Sequence, residues 1–534
     1  MNDWLLILPW LVPLLLLPLP ASRPARWLPA FATLPALATA LFAADNLTAE
    51  LDWLLMGTHL GVDDTGRLFL LYSSLAWLAA ALYSLLRPSL ATERGRFRIA
   101  LLLAMSGNFL LILAGDMLSF YLGFALMGLS AYGMIVAPAT PAAIKAGRRY
   151  LAWTVAGELA LFSGMVLLAS RIPGIRFSDL AAVEPGMTTL VLIMAGFGVK
   201  MALPGLHFWL PSTYRAAPAA AAAVLAGPML AAGLLGWLRF LSPATATNAA
   251  TLFVTLGIAG ALLGLAGGLL QRDARSVLAW SSIAKAGTMT AILGAAFAWP
   301  DASPAILAAL TLFAIHHLLI KSFFFLGMGE LESRGRNSWL IAGLALLALS
   351  LAGAPWSGGA ASKELLIGAL GNEDSTVSML FMAMAIGTAM LMARFLWLVI
   401  HQASRTTPGD AIAIGWLLLA IPATWLPFEL QQAGFSASAM LTLLAGIALF
   451  AATRSLGSGK PGRIAMPDVR LNPEVIRALR NRVSKRSHAA LHSVRARLAT
   501  INPGIENRLA AGTTTALVWM TLFVILLTTL IAPG

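Results

Sequence analysis

The sequence predicts an all-α polytopic membrane protein with about 14–16 transmembrane helices. Three features carry that expectation. Of its 534 residues, 59% are hydrophobic and only 11% are charged, too few charges to cover a soluble protein of this length. Apolar stretches of about 20 residues, enough to cross the hydrocarbon as a helix, recur from one end to the other. Basic and acidic residues fall into alternate loops between them.

The stretches run at 4–20, 27–44, 66–86, 98–114, 116–137, 150–170, 187–210, 219–241, 249–270, 277–298, 305–328, 339–369, 377–402, 411–428, 433–452 and 513–532. The first follows Met-Asn-Asp rather than a basic segment and reads as a retained helix, not a cleaved signal. The stretch at 339–369 is too long for one simple span and is interrupted by Gly353, Pro355, Gly358 and Gly359. A second interruption falls at Pro204 and Gly205. Proline removes a helical hydrogen bond and glycine loosens the backbone, so both segments are expected to be broken helices.

One set of loops holds Arg23, Arg26, Arg87, Arg94, Arg96, Arg98, Lys145, Arg148, Arg149, Arg272, Arg275, Arg334, Arg336 and Arg405. The other holds Asp45, Glu50, Asp52, Asp63, Asp64, Asp301, Glu373, Asp374 and Glu429, with Arg67, Arg171, Arg176 and Arg239 as its few bases. Basic loops stay in the cytoplasm, so the amino terminus is expected on the opposite side of the inner (cytoplasmic) membrane. An even number of spans puts the carboxyl terminus there too. The net charge of +13 fits loops facing an anionic leaflet. It does not point to nucleic acid, because the chain has no basic domain interleaved with aromatic residues. The lack of cysteine excludes disulfides, thiolate metal sites and iron–sulfur ligation.

The expected organisation is a group of amino-terminal helices (1–97), a first repeat (98–241), a second repeat (249–402), further helices (411–453), a basic amphipathic segment (454–512) and a last helix (513–534). The basic segment interleaves Arg477, Arg480 and Lys485 with Val475, Leu479 and Val483. It reads as a helix on the lipid surface or as a brace against a neighbouring subunit. His488 and His492 within it have no carboxylate or cysteine beside them, so no metal site is expected.

A charge at mid-bilayer costs about 2.5–3.5 kcal/mol even on a lenient scale, so each ionisable residue within a span needs a reason. The candidates are Glu158, Lys200, His207, Lys285, His316, His317, Lys321, Lys363, Glu364 and Arg394. A few can reach an interface by extending their side chains, but so many together suggest a polar path inside the bundle. Lys200 lies four residues before Pro204, and Lys363 follows the second interruption. A lysine beside a broken helix meets freed carbonyls and room for water, and is placed to load and release a proton. For Lys200 the alternative is a lysine that only bonds the broken backbone. Two broken, lysine-bearing helices in corresponding places are the pattern of duplicated transporter halves. Between them, His317 and Lys321 share one helix face, with His316 turned about 100° away. Histidine titrates near pH ~6.5, which suits a relay.

Four segments together carry a family resemblance: Lys200–Pro211 with Ala217-Pro218, Asp273–Ile283, His317 with Lys321, and the segment around Lys363. Over about residues 60–400 the chain resembles the proton-translocating antiporter-like subunits shared by respiratory complex I (NADH:quinone oxidoreductase), Mrp-type cation/proton antiporters and energy-converting hydrogenases. The resemblance implies two inverted repeats, broken seventh and twelfth helices, and a lysine–histidine–lysine axis at mid-membrane. It also implies other membrane subunits as partners. Two positions depart from the family pattern. Ala125 stands where relatives carry a glutamate that pairs with the seventh-helix lysine, and Ala231 stands where many carry a further lysine. Glu158 is expected to take over the pairing with Lys200, the alternative being a neutral acid bonded locally. Lys285 is a candidate for the cation that Ala231 lacks.

Three functions stay open on this basis. The first is translocation of protons, alone or in exchange for a monovalent cation, by a subunit of a larger assembly, through Lys200, His316, His317, Lys321 and Lys363 with Glu158 and Lys285. The second is a structural adapter whose path is degenerate. The third is an accessory subunit whose proton flow energises uptake of a solute such as bicarbonate. The chain has no nucleotide fingerprint, cofactor motif or soluble catalytic domain, so any redox chemistry would belong to partners.

Overall fold

The computed structural model describes residues 3–402 and 437–456, except 20–26, 53, 55–56, 86–93, 173, 181–182, 336–337 and 372–374. The described residues fall in one compact unit, Met1–Leu456. The expected span at 411–428, nearly all of the basic segment and the span at 513–532 lie outside them.

The chain enters with α1 (Trp4–Leu15). The stretch at 27–44, expected as one helix, forms two: α2 (Leu28–Phe31) and α3 (Leu34–Phe42). Pro29 and Pro35 each occupy a first-turn position, where proline starts a helix more readily than it continues one. The acidic loop that follows contains a hairpin of β1 (Thr48–Leu51) and β2 (Thr58–Gly61), with Glu50 opposite His59. Asp116 fastens the hairpin to the bundle. Its carboxylate accepts from the His59 backbone at 2.9 Å and from the Ser119 backbone and hydroxyl at 2.7 Å each. His59 is partly buried between Glu50 (3.5 Å) and Arg176 (3.1 Å).

α4 (Asp64–Leu85) leads to the first repeat: α5 (Arg94–Leu113), α6 (Met117–Val136), α7 (Pro141–Ala169), a short α8 (Phe177–Leu180), α9 (Met187–Lys200), α10 (Leu210–Ala216), α11 (Ala219–Ala226) and α12 (Pro228–Phe240). The second repeat holds α13 (Ala250–Leu269), α14 (Ala274–Ala298), α15 (Ser303–Arg334), α16 (Ser338–Ala352), α17 (Gly358–Gly371) and α18 (Ser375–Gln402), followed by α19 (Ala437–Leu456). Among the described residues, eight helices are long and apolar enough to cross a membrane, alongside shorter apolar helices such as Met187–Lys200 and Ser338–Ala352. The protein is an integral, multi-pass membrane protein.

The two repeats are built on one plan. Each opens with two helices in backbone contact through glycine. In α5 and α6, a Cβ on Gly107 or Gly123 would run into the facing backbone, and the same holds for Gly257, Gly264 and Gly287 in α13 and α14. Lipid offers no hydrophobic drive for helices to associate, so close backbone approach is what holds such a pair together. The second helix of each pair is capped by an aspartate: Asp116 by its bond to the Ser119 backbone, Asp273 by its bond to the Ser276 backbone at 2.9 Å. Asp116 sits at the end of the bundle that holds the acidic loops, Asp273 at the end that holds the basic ones. The plan is therefore repeated upside down. A long third helix follows in each case (α7, α15), then a broken one (α9/α10, α16/α17).

The eighth stretch, expected as one unbroken helix, is kinked at Gly227-Pro228 between α11 and α12. A Cβ on Gly227 would strike Ser322 of α15, whose hydroxyl donates to the Ala223 carbonyl at 3.1 Å. Glycine lets α15 lie against the kink.

Candidate functional site

The first break is the irregular stretch 201–209. Ala202 and Gly205 take positive φ angles of 50° and 85° there, and Pro204 supplies no N–H. The break frees the carbonyls at the end of α9. Trp209 takes one of them, its indole nitrogen donating to Val199 at 2.8 Å. Lys200 is therefore not needed by the broken backbone. Its ammonium donates to the Tyr150 hydroxyl at 2.9 Å, and Tyr150 donates onward to the Gly128 carbonyl at 2.9 Å. Lys200 is only 3% exposed.

Glu158, also buried, has a carboxylate oxygen with no hydrogen-bond partner. It is not in direct contact with Lys200, but the two meet around one point. A Cβ on Gly128 would sit 2.5 Å from that oxygen and 3.0 Å from the Lys200 nitrogen. The two atoms are thus no farther apart than the sum of those distances. Ala125, at the usual carboxylate position, lies three residues earlier on the same helix.

The second break has a different economy. Gly353 (φ 84°) and Trp356 (φ 57°) make the turn around Pro355. Gly358 and Gly359, expected within the break, already begin α17. Gly359 is small for another reason: a Cβ there would strike the Ser350 carbonyl. Lys363 donates to the freed Ala352 carbonyl at 2.6 Å. Here the lysine does satisfy the broken backbone. Lys363 and Lys285 line one cavity of about 30 Å³, together with Thr288, Phe313, Glu364 and Thr442. That is room for roughly two water molecules. Lys285 lies over the Phe313 ring at 4.6 Å, and its charge interacts with those of Lys363 and Lys321. It therefore belongs to the second repeat and not to the surroundings of Lys200.

The middle helix, α15, reaches both ways. Lys321, fully buried, donates to the Leu278 carbonyl at 2.8 Å and to the Ser281 hydroxyl, both on α14. His316 meets the Ser350 hydroxyl at 3.0 Å, two residues before the carbonyl that holds Lys363. His317 is buried, with its Nε2 unpartnered. The first break joins this array through His207, which lies against Trp280 (5.6 Å), the neighbour of Ser281. Sequence reading missed Tyr150, Trp209, Gly128, Ser281 and Ser350. Tyr150 follows Arg148 and Arg149, which place it at a span end. Its distance from Lys200 in sequence hides the contact.

Among the described residues, no group of histidine and acidic side chains is arranged to hold a metal ion. At the end with the acidic loops, Arg239 grips Asp63 with two bonds of 2.6 and 2.7 Å, Arg67 pairs with Asp45 at 3.1 Å and Arg176 with Glu50 at 3.0 Å. Burial alone would raise the Asp63 carboxyl. The Arg239 bonds and charge and the Gly66 N–H outweigh it, and the group sits below its ordinary value.

Inverted repeats, two interrupted helices and buried cations beside the interruptions define a class of membrane subunits with ionisable groups at their core. A family profile described as NADH:quinone oxidoreductase/Mrp antiporter, TM, matches residues 114–392. The chain belongs to this family. It is 28% identical over 225 residues to hydrogenase-4 component B of Escherichia coli (strain K12), covering 40% of this chain and 34% of that one. It is 30% identical over 353 residues to NADH-quinone oxidoreductase subunit N of Desulforudis audaxviator (strain MP104C), covering 61% of this chain and 68% of that one. The chain spans about a third to a half of the first curated relatives it matches, 34% and 54%. A chain of respiratory complex I from Thermus thermophilus with bound NADH has the same fold, with TM-score 0.68, 21% identity, and coverage of 84% of this chain and 100% of that one.

Proposed function

We propose that this chain translocates protons across the membrane as one subunit of a larger assembly. The arrangement of buried cations carries the proposal. Lys200 and Lys363 sit at the two breaks, and Lys321, His317 and His316 lie on the helix between them. Lys285 shares the cavity beside Lys363, and Glu158 faces Lys200 across Gly128. Lipid penalises buried charge unless it is used, and this placement matches an ion path at a repeat interface. Residues 98–241 and 249–402 would each form one half of the path. The partners would be other membrane subunits, as in the complexes that contain the relatives, with surrounding lipid; a monovalent cation exchanged for the proton fits the same path.

The inner (cytoplasmic) membrane, with both termini on the non-cytoplasmic side, is the orientation that fits the charges. It is supported by the bases that break the loop pattern. Arg67, Arg176 and Arg239 are each paired with an acid and add little net positive charge at that end.

An adapter with a degenerate path is the second reading. It is favoured by Lys200 resting on a phenol where the family pattern has a carboxylate at the position of Ala125. Proteoliposomes separate the two readings. Native protein is expected to dissipate an imposed pH gradient and Lys200→Ala to lose this activity. Equal dissipation by the two, or none by the native protein in its intact assembly, would overturn translocation.

A further inference from the structure

α7 carries Tyr150, Thr154 and Glu158 at intervals of four residues, so the three line one face of the helix. All three are buried. Opposite them on α6 is Gly128, which presents only backbone. A Cβ at that position would meet the Glu158 oxygen at 2.5 Å, the Lys200 nitrogen at 3.0 Å and the Thr154 methyl at 3.2 Å. Gly128 has an ordinary helical conformation, so backbone geometry does not require glycine there. What the missing side chain allows is the approach of an acid and a base to one point.

The Lys200 ammonium occupies one edge of that space. Tyr150 holds it there with one hydrogen bond and is itself fixed by the Gly128 carbonyl. The Phe124 and Tyr150 rings lie 5.6 and 5.0 Å from the charge and steady it further. The Glu158 oxygen at the other edge is buried and accepts no hydrogen bond. An unpartnered acceptor converging with a cation on the bare Gly128 backbone marks a second position that the cation can take by side-chain rotation.

We propose that Gly128 is a notch giving the Lys200 ammonium two berths, the Tyr150 hydroxyl and the Glu158 carboxylate, and that Tyr150 is the positioning residue that sets the first. In the Tyr150 berth the lysine is held by a neutral group and is free to exchange its proton. In the Glu158 berth it is held as an ion pair. Movement between the two supplies the switch that a carboxylate at position 125 would otherwise provide. The inference rests on the translocation reading for its use, but the two berths themselves can be measured without ion flux.

The titratable groups around Glu158 are Lys200, Tyr150 on its own helix and Tyr121 on α6, which senses the Glu158 charge. The test therefore reads Glu158 directly. Its carboxyl and carboxylate infrared bands, identified by their loss in Glu158→Gln, would be titrated in the intact assembly. Tyr150→Phe removes the first berth without changing the packing. It is expected to raise the carboxylate fraction at a given pH, moving the titration by about one unit or more as an opposite charge settles beside the acid. Gly128→Ala fills the notch and is expected to move the titration the opposite way. In proteoliposomes, Tyr150→Phe should shift the pH profile of proton flux while a large part of the maximum flux remains, and Gly128→Ala should abolish it. Native titration curves in both variants would overturn the berths. If the curves shift as expected while native flux does not depend on Lys200, the berths stand and the translocation reading falls. Thermal unfolding of each variant in detergent confirms an intact bundle.

Discussion

Lys200 and Lys363 look equivalent in the sequence, since each is close to a helix break. Their side chains do different work. Lys363 bonds the carbonyl that its break releases, while Trp209 relieves Lys200 of that task and leaves it to Tyr150. The buried lysines and histidines were legible because charge stands out in an apolar helix and needs no knowledge of contacts. Tyr150 and Gly128 were not, because a tyrosine near a span end and a glycine in a helix are ordinary in membrane sequences. Glu158 was singled out for an absence at position 125, and the structure brings it to the same spot as Lys200, one side chain short of contact. Glu158→Gln keeps the shape and removes the charge. Proton flux in proteoliposomes is expected to fall at least about tenfold, the equivalent of one pH unit of lost electrostatic coupling. Flux equal to native would exclude Glu158 from the path.

The pairs α5/α6 and α13/α14 owe their closeness to glycine, and this sets how much substitution each can bear. A Cβ on Gly264 would press on the Ala284 backbone, whereas one on Gly368 of α17 would meet open space. Gly264→Ala is expected to cost about 1–3 kcal/mol through overpacking, lowering the thermal midpoint in detergent. Gly368→Ala should be neutral or slightly stabilising, since alanine favours helix. A similar midpoint for both would show that the pair is not held by backbone approach. Spans were legible from length and hydropathy alone, and the two main breaks from proline and glycine. The kink at Gly227-Pro228 and the division at Pro35 were not, because proline in a first turn and proline inside a helix look alike until the neighbours are known. The hairpin was hidden in a short acidic loop, and Asp116, which ties it to the bundle, lies far along the chain.

For the whole molecule, repetition was visible as two lysine-bearing breaks, and the structure adds the matching caps at Asp116 and Asp273 that show its sense. The ends of the bundle are held differently from its centre. Asp63 and Arg239 tie the start of α4 to the end of α12 at the end with the acidic loops. Because the Asp63 carboxyl sits below its ordinary value in the folded protein, the pair contributes its full stability above the unfolded value of about 3.9 and loses it as pH falls through the lowered one. Arg239→Gln is expected to lower the thermal midpoint at neutral pH, by no more than about 1 kcal/mol since Asp63 is partly in water, and to match native below that range. A deficit that persists unchanged in acid would assign the loss to packing instead.

With the 28-residue α18, the long third helices, α7 with 29 residues and α15 with 32, are the longest among the described residues. At 1.5 Å per residue they measure about 43 and 48 Å, against a hydrocarbon layer of about 30 Å. α7 begins, and α15 ends, at the end of the bundle with the basic loops, and there Arg275 clasps Glu332 of α15 at 2.6 Å. The surplus length thus gathers on one face. Both helices would stand proud of the bilayer on the same side, so a change in bilayer thickness would be taken up along this surplus, with Lys321 of α15 and Glu158 of α7 kept at their depth.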